Sequence, residues 1–221
     1  RWWQLSYDRG ELMSELEKIN RYVVCVRHTK RPIFEFVSTS IHPNDALQVF
    51  PVADDYSFGI LQSEMHWEWF CARCSTIKRD WRYTSNSVFD SFVWPQTPTK
   101  KDVIGVVRAA SALRRLRRDT MGEHNWNLRE LYRNMEESPN NPVSKAQDRL
   151  DAAVRGCYGI RKRDNILAFL LRLNQECYAS EQRNNDVLGP GLPKEIRLEM
   201  SDADSDCVAI GREYYNAARV S

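Results

Sequence analysis

The first part of the chain alternates short hydrophobic runs with polar turns. Apolar residues at helical spacing within residues 10–19 predict a short amphipathic helix. Runs rich in β-branched and aromatic residues at 21–28 and 32–39 predict two β-strands joined by the basic turn Thr-Lys-Arg. Similar runs at 45–52 and 56–61 predict two more short strands. This part of the chain is therefore expected to mix helix and strand.

The pattern changes twice between residues 61 and 96. Residues 61–74 place their apolar side chains on one helix face, which predicts a single helix. From Cys74 onward, charged and polar residues alternate in a way typical of an extended strand. On such a strand one face would carry Lys78, Asp80 and Arg82, and the other Arg79, Trp81 and Tyr83. A segment with two prolines follows.

After residue 96 the pattern is helical. Predicted helices cover 99–119, 125–135, 143–159 and 163–182, with Asn125 as N-cap of the second and Gly159 after the end of the third. A rigid turn at 189–193 and a weakly helical stretch at 206–220 follow. The pattern predicts an α+β protein with a mixed α/β domain at 1–96 and a helical C-terminal region at 97–221.

Composition and charge refine this expectation. Hydrophobic residues make up 42% of the 221 residues, enough for a packed core, and the formal net charge is only +2. The charge is unevenly distributed, because residues 97–118 hold seven basic residues against the single acid Asp102. The small net charge of the whole chain therefore conceals a basic stripe of the kind that phosphate binding requires. Arg108, Arg115 and Arg118, with Arg114 beside them, could lie along phosphates, although solvated helix arginines are the commoner explanation.

The six cysteines indicate free thiols of a cytoplasmic protein. Cys71 and Cys74 form a CxxC pair, but no second pair completes a zinc ribbon, and His66 is the nearest imidazole. Two thiols at a helix end are therefore expected to be structural. No run approaches the roughly 18 apolar residues of a membrane span. The chain begins at Arg1, and we expect it to be part of a longer protein.

The sequence contains none of the common catalytic motifs. It lacks GxSxG, HExxH, a P-loop and GxGxxG, and its four histidines are scattered without catalytic spacing. These absences favour a binding module over an enzyme.

The alternating stretch has the side chains needed to recognise DNA bases. Lysine and arginine donate to guanine, and a carboxylate accepts from the cytosine amino group. Lys78, Asp80 and Arg82 are therefore candidate base-reading residues, which Ser85 and Asn86 would assist. Arg73 and Arg79 are candidate contacts to backbone phosphates. A solvated surface strand explains the same pattern, in which case the helical region would act as a protein–protein interaction module.

Several segments resemble one known family. The "HWEWF" helix at 66–70, "RYT" at 82–84 and "VFDSFVWPQ" at 88–96 look like the target recognition domain of MmeI-like, type IIL restriction–modification methyltransferases. The segments "LRELYRNM", "QDRLDAAVRGCYG" and "GPGLP" are similar to the helical C-terminal region of the same proteins. Val93 departs from the family, which usually has proline there, and this should change the stiffness of the loop.

The resemblance implies a DNA-binding part of a larger enzyme. In such proteins one chain carries an N-terminal nuclease and a methyltransferase domain that transfers a methyl group from S-adenosylmethionine to adenine, and related chains in other phage-defence systems lack the nuclease. The residues before "RYT" would select the bases, which agrees with the independent interpretation of Lys78, Asp80 and Arg82. The expected partners are double-stranded DNA and the methyltransferase domain of the parent chain, in restriction–modification or phage defence. No catalytic residue, cofactor site or metal site is expected within these 221 residues.

Overall fold

The computed structural model describes residues 10–77, 80–138, 140–196 and 198, and for residues 76, 77 and 80 it describes the backbone. The strands are β1 (Arg21–Val26), β2 (Glu35–Ser38), β3 (Leu47–Phe50), β4 (Ser75–Ile77) and β5 (Asp80–Arg82). The helices are α1 (Gly10–Leu16), α2 (Asp55–Gln62), α3 (Glu64–Arg73), α4 (Lys100–His124), α5 (Leu128–Glu137), α6 (Pro142–Tyr158) and α7 (Ile166–Glu181). The predicted α+β class is confirmed.

β1, β2 and β3 form an antiparallel sheet with β1 in the centre. Successive residues of β1 are buried on opposite faces, because each face packs against a different layer. Tyr22 and Val24 pack with α1, whereas Val23 and Cys25 belong to the main core. The main core also contains residues of β5 and of helices α2 to α7.

The predicted strand at 56–61 and the predicted single helix at 61–74 were both wrong. These residues form two helices, α2 and α3, separated at Ser63. Every residue of α2 is buried, including the polar Asp55, Ser57 and Gln62, so no exposed polar face marks a helix. The alternation of Tyr56, Phe58 and Ile60 with smaller residues imitates the pattern of a strand. Asp54 caps α2 by accepting a hydrogen bond from the backbone N–H of Ser57 at 2.7 Å.

The four helices predicted between residues 99 and 182 are present, with one correction, and the stretch at 206–220 lies outside the described residues. Asn125 is not the N-cap of α5; it ends α4 in the left-handed conformation, with φ of 53°. Asn127 caps α5 and forms a capping box with Glu130. Asparagine suits both positions, because it tolerates positive φ and its side chain accepts hydrogen bonds from helix N–H groups. Gly159 ends α6 with φ of 68°, as predicted.

A buried carboxylate connects the sheet to two helices. Asp55, at the start of α2, is fully buried and accepts hydrogen bonds from Arg21 of β1 and Arg114 of α4, both at 3.0 Å. The two guanidinium groups also lie near the ring of Phe36 in β2, at 3.7 and 4.9 Å from its centroid. The ion pairs therefore fix the orientation of the sheet relative to α4.

Candidate nucleic-acid interface

The predicted base-reading strand is a β-hairpin. β4 and β5 pair antiparallel, with Ser75 opposite Arg82 and Ile77 opposite Asp80. The chain therefore reverses between Ile77 and Asp80, so the single strand predicted from Cys74 onward is two paired strands. The error has a physical reason: Lys-Arg gives none of the Asn-Gly or Asp-Gly signals that mark two-residue hairpins. Lys78 and Arg79 themselves lie outside the described residues.

Two aromatic residues anchor the hairpin to the body of the protein. Trp81 packs against Trp67 and Phe70 of α3, with ring centroids 5.7 and 5.8 Å apart. Tyr83 is fully buried and stacks on Phe70, with centroids 5.6 Å apart. Trp69 and Phe70 are buried in the main core, and Trp67 is partly buried against it. Arg82 lies between the two anchors, so strand alternation places it on the opposite face of β5.

Tyr83 also contacts a buried histidine of α3. Its hydroxyl lies at hydrogen-bond distance, 2.9 Å, from Nε2 of His66. Burial lowers the pKa of His66 to about 3, against a weaker opposing effect of the Leu61 carbonyl. Burial also raises the pKa of Tyr83 well above its ordinary value. Both side chains are therefore neutral at pH 7, and the base of the hairpin contains no buried charge at this point.

The chain that continues from β1 pairs with the other edge of β5. His28 and Arg82 form an antiparallel bridge. The backbone N–H of Thr29 donates to the Trp81 carbonyl at 3.1 Å, and that of Tyr83 donates to the Arg27 carbonyl at 2.8 Å. β5 is thus an inner strand with hydrogen bonds on both sides. These hydrogen bonds attach β5 to the chain that continues from the central sheet.

Arg82 is positioned beside a second polar side chain. Residues directly opposite one another in an antiparallel pair project from the same face, so His28 and Arg82 are neighbours. His28 is exposed and Arg82 is partly buried. The Nε atom of Arg82 is buried and has no hydrogen-bond partner among the described residues. Sequence reasoning missed His28, because no local signal pairs residues 54 positions apart.

The remaining candidate residues surround the hairpin. Arg73 is exposed in the last turn of α3, with its guanidinium 5.7 Å from the ring centroid of Trp69. Ser85 and Asn86 begin a short π-helical turn, Ser85–Phe89, directly after β5. Asn86 is exposed and Ser85 is partly buried. The contacts of these three residues with DNA stay predictions.

The segment after this turn is fixed by the helices of the C-terminal region. Trp69 of α3 donates to the Ser91 hydroxyl at 3.2 Å, and Asn174 of α7 donates to the Ser91 carbonyl at 2.9 Å. Tyr158 of α6 donates to the carbonyl of Val93 at 2.7 Å. Further along, the side-chain amide of Gln96 donates to the carbonyl of Leu188 and accepts from its N–H, at 2.9 and 3.0 Å. The helices therefore stabilise the loop that follows the hairpin.

The arginines of α4 divide into inward and outward groups. Arg114 is paired with Asp55, and Arg117 is buried, donating to Glu35 and to the carbonyl of Phe34 at 2.8 and 2.9 Å. Arg108 and Arg118 are exposed. The predicted phosphate-binding stripe thus loses Arg114, because that charge is paired with the buried carboxylate of Asp55 in α2.

The structure provides no sign of a metal site at the CxxC pair. Cys71 and Cys74 are partly buried at the end of α3, and burial raises the pKa of both thiols, that of Cys71 to about 11. His66 is in the aromatic core and not near solvent. Across the described ranges, no group of three or more His, Cys, Asp or Glu residues is arranged to hold a metal ion. None of the described helices is long and apolar enough to cross a membrane.

The hairpin region is similar to a known protein family. Residues 24–96 match the family model "MmeI, target recognition domain". This segment runs from the middle of β1 through β2, β3, α2, α3 and the hairpin, and the resemblance inferred from the sequence is confirmed. We call residues 24–96 the recognition segment.

A solved structure extends the similarity beyond the recognition segment. The chain is similar in fold to the type IIL restriction–modification enzyme MmeI solved in complex with DNA, with a TM-score of 0.60 and 23% sequence identity. The match covers 72% of this chain but only 22% of the MmeI chain, so this chain corresponds to a limited part of that enzyme. No curated protein is significantly similar to the chain.

Proposed function

We propose that this chain recognises a specific sequence in double-stranded DNA. The match of residues 24–96 to the MmeI target recognition domain is the observation that carries the proposal. The fold similarity to a DNA-bound restriction–modification enzyme supports it.

The geometry of the hairpin suits this function. A two-stranded ribbon fits the major groove, where each base pair presents a distinct pattern of donors and acceptors. Trp81 and Tyr83 fix one face of β5 in the core, and hydrogen bonds at both edges limit its movement. β5 is therefore held in place before DNA binds, which reduces the entropic cost of binding.

We assign complementary roles to the candidate residues. Lys78, Asp80 and Arg82 would contact base edges, and Ser85 and Asn86 would add short hydrogen-bonding groups to bases or phosphates. Arg73 and Arg79 would contact phosphates and set the position of the hairpin on the duplex.

We further propose that the chain belongs to a larger DNA methyltransferase of the restriction–modification type. The parent would act in the cytoplasm, transfer methyl groups from S-adenosylmethionine to adenine, and use this chain to select the site. Its methyltransferase domain would be the second partner of this chain. The recognition role requires no catalytic group here, so the fragment should bind DNA without modifying or cutting it.

Selection of bound sequences from a random duplex pool tests the proposal. The 221-residue chain would be used at two salt concentrations, because phosphate contacts weaken steeply as salt rises whereas base contacts determine sequence. We expect a short motif that is recovered at both concentrations. Failure to bind DNA at either concentration would contradict the proposed function.

Charge-changing substitutions at Lys78 and Asp80 should change the recognised sequence. Each replaces a donor with an acceptor or the reverse, which alters base preference by about 1–3 kcal/mol at one position. Asp80→Lys and Lys78→Glu test this most directly, because each reverses the charge of the side chain. Recovery of an unchanged motif by both variants would exclude these residues from base readout.

Substitution of Arg79 should act differently. Arg79→Ala is expected to weaken binding about equally on all sequences. It should also reduce the slope of log affinity against log salt by the amount that one phosphate contact contributes. Titrations of the selected duplex and of an unrelated duplex measure both effects. A loss confined to one base pair would show instead that Arg79 reads a base.

A further inference from the structure

We propose that the loop after β1 is a second DNA-contacting element, in which His28 contacts a base edge beside Arg82 and Lys30 contacts a phosphate. This inference rests on the proposed function and extends it to residues outside the hairpin. The alternating stretch that identified the hairpin gives no indication of either residue.

The backbone pairing places this loop against the hairpin. His28 is bridged to Arg82, and the hydrogen bonds of Thr29 and Tyr83 on either side of the bridge are 3.1 and 2.8 Å long. Opposed side chains in such a pair have Cβ atoms about 5 Å apart on the same face. Any base pair that Arg82 reaches is therefore within one or two base-pair steps of His28, since steps are about 3.4 Å apart.

The loop itself is held in one conformation. The hydroxyl of Thr29 donates to the Arg31 carbonyl at 2.8 Å and accepts from the Arg31 N–H at 3.2 Å. The guanidinium of Arg31 lies over the rings of Trp67 and Tyr132, at 5.7 and 5.4 Å from their centroids. Because Trp67 also contacts Trp81, the loop and the hairpin rest on the same aromatic support.

The exposed side chains of this loop match DNA chemically. His28 and Lys30 are both exposed, whereas Arg31 is partly buried against aromatic rings. An imidazole can donate to or accept from base edges, and a lysine ammonium is a flexible partner for phosphate oxygens. The loop thus provides one group suited to base readout and one to backbone contact next to Arg82.

Single substitutions on the 221-residue chain separate these roles. His28→Ala should lose about tenfold or more in affinity for the selected duplex and should relax preference at one base pair adjacent to the one that Arg82→Ala relaxes. Lys30→Ala should weaken binding on all duplexes and reduce the slope of log affinity against log salt by about 0.9. Lys162→Ala, which removes an exposed cation from the loop between α6 and α7, is the matched control and should change neither quantity.

The outcomes distinguish this inference from the proposed function. If the unaltered chain binds no DNA, both fail. If it selects a motif that Arg82→Ala alters while His28→Ala and Lys30→Ala bind as the unaltered chain does, only this inference fails. Binding without any motif would overturn the role of His28 in base readout. A loss in Lys162→Ala equal to that in Lys30→Ala would show that any surface cation has this effect. Circular dichroism melts of each variant would confirm that the fold is retained.

Discussion

His66, a residue beneath the hairpin, is buried in its neutral form. His66 is completely buried among Phe34, Tyr83 and Phe92, and its low pKa follows from the loss of water around the imidazole. The described part of the hairpin therefore rests on side chains that are neutral at this point.

This burial predicts a specific pH dependence of stability. The unfolded chain takes up a proton on His66 as the pH falls below about 6.5, whereas the folded chain does so only near pH 3. The stability present above pH 6.5 is therefore lost progressively as the pH falls toward 3, by about 2 kcal/mol between pH 7 and pH 5. Urea unfolding of the chain and of His66→Gln at both pH values measures the effect.

The comparison with the variant is essential, because another group acts in the opposite direction. Burial raises the pKa of Asp151 to about 6, so its protonation favours the folded state as the pH falls. His66→Gln retains Asp151, and the difference between the two proteins isolates His66. Equal losses of stability in both proteins would show that His66 is not buried in its neutral form.

At the scale of elements, the close approach of three helices determines the shape of the core. A Cβ atom on Gly59 of α2 would lie 2.7 Å from Cγ1 of Val106 in α4 and 3.2 Å from Cδ1 of Leu150 in α6. Glycine at this position therefore allows the three helix backbones to approach one another. The absence of a side chain is a requirement of packing and not of backbone conformation.

Substitution of Gly59 should accordingly be destabilising. Gly59→Ala forces overlap with a β-branched side chain in a packed core, and we expect a loss of about 1–3 kcal/mol in the free energy of unfolding. Gly105→Ala is the matched control, since a Cβ there meets no atom within 4 Å and alanine favours helix by up to about 1 kcal/mol. Chemical denaturation compares the two variants. A neutral Gly59→Ala would mean that α2 can move away from α4.

At the scale of the whole molecule, the recognition segment shares its core with the helical region. Residues of α2 and α3 belong to the same hydrophobic cluster as residues of α4, α5, α6 and α7. Hydrogen bonds from Tyr158, Asn174 and Leu188 also fix the segment at 91–96. The division into domains at residue 96 stays a prediction, and a shared core does not require the two parts to fold separately.

Residues 1–96 alone should therefore fail to form a stable fold. Removing residues 97–221 exposes the buried faces of α2 and α3 to water, and we expect no cooperative thermal transition by circular dichroism. Adding residues 97–221 as a separate chain should restore the transition, because the lost contacts are noncovalent. Cooperative melting of residues 1–96 alone would establish them as an independent folding unit.

The sequence by itself determined the features that depend on local chemistry. Its periodicity identified the central strands and the C-terminal helices, and its motifs identified the similarity to the MmeI target recognition domain. It also identified Asp80 and Arg82 as neighbours two positions apart, since strand alternation needs no long-range information. Caps such as Gly159 follow from the same local rules.

Only the tertiary structure decided which residues meet across long separations. In the folded chain the predicted strand is a hairpin, His28 pairs with Arg82, and Arg114 forms an ion pair with the buried Asp55. Residues 55–62 form a helix that is buried on all sides, so its polar residues do not mark an exposed face from which helical periodicity could be recognised. These outcomes depend on packing and charge pairing between distant segments, which no local pattern of residues encodes.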